Sequence, residues 1–481
     1  MKKLFLIMCV GAVCVNTASS QNDIDAMRYS QITFGGTSRF ASMAGSMGAL
    51  GGDISTLSFN PAGVGVFRKT EISISPSLFS QTTNSTFNGT SSMDRKLNVN
   101  LGNIGLVGAI HLKDDKNGGW QYFNFGIGYN RTNNFNNNIS IQGDNKTSSL
   151  LDTYVAAANG NNPTSFDGFS TDLAWQTYLI DTTTVPLVYR QAISHYGETQ
   201  KKTVSSSGSM GETVLSVGAN YRSKLFLGAT LGIVNARYTE ASQYDEVDTQ
   251  DTIAGFKSFS FKQNLTTQGR GFNFKLGIIV KPIDWLNIGV AVHTPTVLKL
   301  KDVYTSSMFA DLDATRDTFT YFSPSGSFNY KITTPFRAIG SLGFVIKKIA
   351  LLNVEYEYVD YSYAQLSSTP NVFSDVNTVI RSKYTSTGNI RIGGEIRYDP
   401  FAFRVGYALY GSPFKSGDNK NAQRTSITTG VGYRYKHFFM DLAYVHTFYS
   451  EKNYLYDSPI LDAVTNDYTN SSFMTTVGIK F

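Results

Sequence analysis

The 481-residue chain is poor in charged residues, cysteine and long apolar runs, and each shortage excludes a class of protein. Charged residues make up 16% of the chain, against roughly 25% in an average soluble protein. Both cysteines, Cys9 and Cys14, lie near the N-terminus, so no disulfide framework or cysteine zinc site is available to the rest. The apolar runs are too short for a membrane-spanning helix, which needs about 20 residues. A net charge of +6 without a basic cluster argues against nucleic-acid binding.

The N-terminus has the pattern of an export signal. Lys2 and Lys3 precede the apolar stretch Leu4–Val15, and the small residues Ala18–Ser20 follow it. A basic start, a short apolar centre and a small-residue cleavage site define a secretory signal peptide. We therefore predict that residues 1–20 are removed and that the mature chain leaves the cytoplasm.

Most of the chain after residue 70 alternates between apolar and polar residues, which indicates β-strands. In the last segment, for example, Phe473 and Ile479 share one face and Thr476 lies on the other. Aromatic residues are 13% of the chain, with 28 Tyr and 33 Phe, and many lie near predicted strand ends. Two folds fit this pattern. In a soluble sandwich the apolar face is the core and the polar face is exposed to solvent, whereas in a membrane barrel the apolar face contacts lipid and the polar face lines the lumen.

The lengths of the connections decide between these folds. Short turns alternate with long connections, of which 81–96 and 132–211 are examples. Outer-membrane barrels have short periplasmic turns and long external loops. The terminal Phe481 resembles the signal that the barrel-assembly machinery reads. We predict an all-β fold, a transmembrane antiparallel barrel of about 14 strands over residues 71–481, in the outer membrane of a Gram-negative bacterium and in contact with its lipid.

Residues 21–70 do not alternate and are rich in glycine and alanine. Irregular polar backbone cannot face lipid, where unpaired backbone groups are costly. The lumen of a barrel this wide would also pass water freely unless it were plugged. We therefore predict that this segment is an N-terminal hatch in the lumen. A phosphate-binding loop is the alternative, but no Gly-Lys-Ser/Thr accompanies the glycines.

Three stretches of this segment resemble the FadL/TodX family of outer-membrane transporters for long-chain fatty acids and other hydrophobic compounds. They are Gly36–Phe40, Met43–Asp53 and a motif that matches the family's Asn-Pro-Ala hatch motif. The motif and its following glycine are Asn60, Pro61, Ala62 and Gly63. The resemblance implies passive uptake of a hydrophobic small molecule, with capture by external loops, gating by the hatch and lateral exit at a kinked third strand.

The third strand is predicted near Trp120–Arg131, with Asn124, Gly126 and Gly128 on its lumen face. Glycines weaken a strand and permit a bend or bulge, so these three residues are candidates for the lateral opening. The alternative is that the glycines only make room for the hatch. A phase slip in the second strand predicts a bulge near Gly102–Asn103.

Two sets of residues are candidates for ligand binding. The connection 132–211 is too long for a plain loop, and its apolar residues have helical spacing. The resemblance implies that they form an apolar groove that first contacts the ligand. The alternative is a short helix that only caps the barrel mouth. These candidates are Trp175, Leu173, Leu179 and Ile180. A carboxylate cargo would pair with an arginine or lysine, unless those residues pair with barrel carboxylates. These lumen candidates are Arg391, Arg397, Arg404 and Arg434.

The sequence carries no sign of catalysis. The five histidines lack metal-ligand spacing, and no Gly-x-Ser-x-Gly elbow occurs. We therefore expect no enzyme activity, no metal site and no cofactor. Two other functions remain open: a structural or adaptor barrel that binds a protein partner, and a haem (hemin) receptor, although no haem-ligand pair is recognisable.

Overall fold

The computed structural model describes residues 22–112, 119–312, 317–347, 349–370, 372–457 and 461–481. The predicted signal peptide, residues 1–20, lies outside the described residues. The strands are β1 Glu71–Phe87, β2 Thr90–His111, β3 Trp120–Asn134, β4 Asn137–Asp144, β5 Ile180–Thr182, β6 Tyr189–Gln191, β7 Thr199–Tyr221, β8 Leu225–Val247, β9 Ser258–Ile283, β10 Leu286–His293, β11 Val297–Leu312, β12 Asp317–Phe322, β13 Gly326–Thr333, β14 Arg337–Ile346, β15 Ala350–Asp360, β16 Gln365–Ser367, β17 Ser386–Tyr398, β18 Phe401–Tyr410, β19 Arg424–Tyr435, β20 Phe438–Asn453 and β21 Val464–Lys480. The α-helices are α1 Asp23–Ser30, α2 Ser38–Ser42, α3 Leu150–Ala158, α4 Thr171–Gln176 and α5 Ser374–Lys383. The 3-10 helices are Ile54–Ser58, Pro61–Val66, Pro163–Ser165 and Tyr361–Tyr363.

The long strands close into one antiparallel barrel, in which β1 pairs with both β2 and β21. Three crossings of the wall are made of two successive strands each: β3 with β4, β10 with β11, and β13 with β14. Counted this way the barrel has 14 crossings. The predicted antiparallel barrel of about 14 strands is confirmed.

Side chains alternate between the lumen and the outer face of the barrel. On β3, Phe123, Phe125 and Ile127 are 46%, 44% and 49% exposed, whereas Asn124 between them is fully buried. The same alternation places an apolar band around the outside and polar side chains around the inside. Among the described residues, no helix is long and apolar enough to cross a membrane.

The two ends of the barrel differ. One end, here called the turn end, carries tight turns at 222–224, 284–285, 399–400 and 436–437. The longer connections gather at the opposite end, here called the loop end. The asymmetry matches the alternation of short and long connections predicted from the sequence.

The prediction of a long loop at 81–96 is wrong. Strands β1 and β2 continue through this region and meet in a two-residue turn at Asn88 and Gly89, with φ angles of 46° and 81°. Two-residue hairpins use such left-handed pairs because their twist matches that of the strands. Ser, Thr and Asn occupy both faces of the hairpin, so the sequence carries no hydrophobic alternation there.

The segment 22–70, here called the hatch, lies inside the barrel and is almost entirely buried. Each of its short helices begins at a residue whose side chain accepts a backbone N–H. These capping residues are Asn22, Thr37, Asp53 and Asn60. Since such short helices are marginal alone, the caps and the surrounding wall hold them in place.

Lumen-facing glycines let the hatch rest on the backbone of the wall. A Cβ atom on Gly228 would lie 2.5 Å from the amide nitrogen of Ala62, and one on Gly126 would lie 2.6 Å from Leu57 Cδ2. Such separations are shorter than any real side chain tolerates. Other wall glycines that face the hatch in this way are Gly105, Gly218, Gly277, Gly289, Gly393, Gly406 and Gly430.

Substituting one of these glycines should dislodge the hatch. We expect Gly228→Val to lower the free energy of unfolding by about 1–3 kcal/mol, the usual cost of overpacking. We also expect a larger ion current through the protein in planar bilayers. The control is Gly340→Val, because a Cβ atom at Gly340 meets nothing within 4 Å. Equal stability and equal current in the two variants would contradict the tight fit of the hatch.

Candidate functional site

The Asn-Pro-Ala motif forms a buried turn at the centre of the hatch. Asn60 Oδ1 accepts a hydrogen bond from the amide of Ala62 at 3.1 Å, and Asn60 Nδ2 donates to Gly48 O at 2.6 Å. Pro61 occupies the first helical position, where a missing N–H costs nothing. The motif therefore ties the two halves of the hatch together.

Three arginines converge on one carboxylate between the hatch and the wall. Glu395 accepts from Arg39 of the hatch at 2.9 Å, from Arg404 at 2.7 Å and from Arg397 at 2.6 Å. Arg404 also pairs with Asp441 at 2.6 Å. Glu395 is almost fully buried, so this cluster pins the hatch to the wall by charge.

A second cluster surrounds Arg391, which is fully buried. Arg391 pairs with Glu355 at 2.7 Å and with Glu357 at 3.0 Å, and Glu355 also accepts from the amide of Gly48 at 2.8 Å. Arg434 forms no ion pair among the described residues. None of the four predicted lumen arginines lines the cavity above the hatch that is described below. Cargo binding by these arginines stays a prediction, and the contacts of three of them are with barrel carboxylates.

Removing the shared carboxylate should loosen the hatch. We expect Glu395→Gln to cost about 3–5 kcal/mol of unfolding free energy, because it leaves buried arginines without their counter-charge. Urea unfolding of the purified barrel measures this loss. The matched control is Glu451→Gln, which removes one partly buried pair, with Arg424 at 3.5 Å, and should cost clearly less than the loss of the carboxylate shared by three arginines. Similar losses in both variants would mean that the cluster does not hold the hatch.

The barrel wall is split between β2 and β3 in its loop-end half. The two strands are hydrogen-bonded only as far as Asn103 and Asn130. Beyond this pair the described backbone of β2 forms a ladder with β1 alone, whereas the end of β3 and all of β4 form a ladder with β7 alone. Asn103 also follows the predicted bulge, which is confirmed: Gly102 is skipped in the pairing of β1 with β2.

Side chains, rather than backbone pairs, cross the split. Arg131 Nε donates to Leu101 O at 3.3 Å, and Lys96 Nζ donates to Ser206 O at 2.7 Å. Among the described residues Arg131 has no carboxylate partner. Side-chain contacts of this kind part more easily than a continuous strand ladder, so the split is the weakest line in this part of the wall.

A cavity of about 220 Å³ lies above the hatch and reaches the split. Its floor is the hatch segment 31–35, and its side next to the split is formed by Asn100, Gly102 and Arg131. Aromatic rings and amides line much of the rest: Phe79, Phe135, Tyr361, Tyr410, Tyr449, Asn133, Asn134, Asn136, Asn389 and Asn470. Arg424, Val445 and Met474 also line it. Sequence reasoning missed Arg131 as a cavity residue, and only the position where strand pairing ends could have indicated it.

The residues predicted for the lateral opening lie just below the split. Asn124, Gly126 and Gly128 are paired on both sides, with β2 and with β7. Asn124 Nδ2 donates to Val64 O at 2.7 Å and to Phe67 O at 2.9 Å. In this structure the three residues contact the hatch.

The long connection between β4 and β7 folds into a cap over the loop end. Leu173, Leu179 and Ile180 are fully buried in its core, together with side chains from the ends of the long strands. The ring of Trp175 packs edge-on against Tyr189, with ring centroids 5.9 Å apart. These four predicted contact residues hold the cap together rather than lining an open groove.

A different part of the cap exposes apolar side chains to the outside. Tyr178 and Val185 are 58% and 55% exposed, and Leu187 and Val188 lie beside them in the chain. We call this surface the 178–188 patch. The sequence analysis did not select these residues as ligand contacts.

Two buried carboxyl groups fasten the cap to the wall. Glu246 accepts from Ser149 Oγ at 2.5 Å and from the amide of Leu150 at 2.8 Å, at the start of α3. Gln200 Nε2 donates to both Glu246 and Glu198, at 3.2 Å and 3.3 Å. Burial raises the pKa of the Glu198 carboxyl above its ordinary value. Glu198 therefore stabilises the cap at low pH, and this contribution is lost as the pH rises through the raised pKa.

The cap should loosen as the pH rises above the ordinary range of a glutamate. We expect the protection factors for hydrogen exchange in α3, which are corrected for the intrinsic acceleration of exchange with pH, to fall as the pH rises, and to fall less in Glu198→Gln, which cannot ionise. Asp181→Asn is the control, because Asp181 is an exposed carboxylate of the same cap. An identical pH dependence in Glu198→Gln and the unaltered protein would exclude Glu198 as the cause.

These features together define a hatch-filled outer-membrane type of barrel with a small cavity beside a split wall. Solved structures with this fold include a FadL homologue of Pseudomonas aeruginosa, with 14% identity, a TM-score of 0.58 and coverage of 94% of this chain and 100% of that one. The toluene transporter TodX of P. putida matches with 11% identity, a TM-score of 0.55 and coverage of 93% and 99%. The toluene transporter TbuX of Ralstonia pickettii matches with 15% identity, a TM-score of 0.50 and coverage of 93% and 98%.

No protein-family model matches the chain, and no curated protein matches it. At identities this low the structural likeness establishes the fold. The fold is the one that the sequence resemblance implies, and the predicted likeness to FadL and TodX is confirmed.

Proposed function

We propose that the protein is an outer-membrane channel for the passive uptake of small hydrophobic molecules. The observation that carries this proposal is the cavity above the hatch that reaches the split between β2 and β3. The shared fold with toluene transporters supports it. The apolar outer band supports a position in the membrane, with the turn end towards the periplasm and the loop end outside.

The route has three stages. Hydrophobic cargo first meets the exposed 178–188 patch on the cap. It then occupies the cavity, whose floor is the hatch segment 31–35. Because the hatch fills the lumen below, the cargo leaves sideways through the split into the lipid. An apolar molecule that leaves sideways avoids the water beyond the turn end.

Gating is confined to a small part of the hatch. The Glu395 cluster and the wall glycines fix the rest of it in place. Among the described residues, segment 31–35 has one backbone–backbone bond to the wall, from the amide of Thr33 to Thr132 O at 2.9 Å. A shift of this segment would widen the passage from the cavity to the split without unseating the hatch.

The size of the cavity limits the cargo. A cavity of roughly 150 Å³ is known to hold a benzene molecule. The cavity here, about 220 Å³, therefore suits a cargo of one or two rings better than an extended fatty-acid chain. The amides and Arg131 on its wall would receive a polar end of the cargo, since a guanidinium binds carboxylates and other acceptors well.

Uptake of labelled toluene and labelled hexadecanoate tests the function. We expect cells with the protein to accumulate toluene faster than cells without it, with a smaller effect for hexadecanoate. Gly102→Leu should abolish the toluene difference, because the added side chain enters the cavity near Met474, whose Cε would lie 3.1 Å from the new Cβ.

The control for this experiment is Gly340→Leu on the outer face, which should leave uptake unchanged. Equal uptake with and without the protein, for both compounds, would contradict the proposed function. Unchanged uptake in Gly102→Leu would place the exit elsewhere, with the lower residues Gly126 and Gly128 as the next candidates.

A further inference from the structure

A patch of basic side chains lies on the outer face of the barrel, on β9, β11 and β13. Its members are Arg270, Lys299, Lys301 and Lys331, and all four are exposed. None of them forms an ion pair with any described residue. This contrasts with the lumen, where Arg391 and its neighbours are neutralised by carboxylates.

The register places like charges directly opposite one another. Lys299 of β11 pairs with Arg270 of β9 on one side and with Lys331 of β13 on the other. Directly opposite residues have Cβ atoms about 5 Å apart, and like charges there destabilise a sheet. An anion bound beside this row would therefore relieve the repulsion among its three cations.

A groove lies beside this row. It has a volume of about 450 Å³ and is lined by Lys299, Lys301 and Lys331, and by the segment 367–369, which follows β16. β16 pairs with β13, so that Ser367 lies opposite Lys331 and forms the side of the groove. Ser367, Ser368 and Thr369 add hydroxyl groups, and no carboxylate lines the groove. Ammonium groups and hydroxyls in one concavity suit a phosphate.

The patch lies at the edge of the apolar outer band. Phe272 and Val297 face each other across β9 and β11 and are both exposed. Arg270 and Lys299 follow two residues further towards the loop end, a step of about 7 Å along a strand. If the barrel lies in a membrane as proposed above, the basic side chains are at the depth of the external lipid headgroups.

We propose that this groove binds the phosphate of an anionic lipid of the external leaflet. The lysines and hydroxyls hold the phosphate, while the acyl chains lie along Phe272, Val297 and the apolar band. The adjoining apolar surface favours a lipid over free phosphate, because free phosphate would leave these side chains without a partner. The inference depends on the membrane position but not on any transport activity.

Native mass spectrometry of the purified barrel in detergent measures lipid retention directly. The probes are dioleoyl phosphatidic acid, dioleoylglycerol and inorganic phosphate. We expect phosphatidic acid to be retained and dioleoylglycerol to be lost. A variant with Lys299→Gln, Lys301→Gln and Lys331→Gln should bind phosphatidic acid roughly a hundredfold more weakly, given the usual contribution of a lysine near an anionic surface.

The matched control removes three exposed lysines at the turn end, with Lys224→Gln, Lys347→Gln and Lys436→Gln. It should retain the lipid as well as the unaltered protein does. Equal loss in both triple variants, or equal retention of dioleoylglycerol, would overturn the proposal. Displacement of phosphatidic acid by equimolar inorganic phosphate would also overturn it in favour of a free-phosphate site. Lipid retention is measured without transport, so its loss tests the lipid site alone. Toluene uptake by the same variant tests the proposed transport function separately.

Discussion

The contact between the hatch and the bare backbone of the barrel wall determines the rest of the structure. A 14-crossing barrel encloses more space than its own side chains fill, and an irregular segment can occupy that space only if its backbone groups find partners. Glycines such as Gly228 and Gly126 allow that segment to approach the strands closely. The buried carboxylate of Glu395 then pairs with the hatch residue Arg39 by charge. Packing and charge therefore fix the same segment at two independent sets of points.

The split between β2 and β3 is compatible with a stable barrel because the hatch supports the wall beneath it. Below Asn103 and Asn130 both strands are fully paired, and Asn124 bonds directly to the hatch backbone. Above that level β4 pairs with β7 alone, and the cap core joins the strand ends instead. The wall can thus lose one row of hydrogen bonds locally, at the level where the cavity lies, without loss of the overall closure.

The sequence predicts the parts of this molecule that follow from period and composition. Alternation along β3 and β21 indicates the barrel, and the loss of alternation before residue 70 indicates the hatch. The cavity was not predictable, because Arg131 and Gly102 meet only through the register of β2 and β3. The sequence left two alternatives for the long connection, a groove and a cap: helical spacing identifies Leu173 and Leu179 as apolar, but it does not tell a buried core from an exposed groove.

Charge placement separates residues that hold the structure from residues that face a partner. Inside the barrel Arg391 and Arg404 are each paired with two carboxylates, so burial is compensated within the chain. On the outer face Lys299 faces two cations and no carboxylate. Arg391 and Arg404 are thus neutralised within the chain, whereas the counter-charge for the outer row of cations comes from outside the described protein. At the edge of the apolar band, a lipid headgroup supplies that charge.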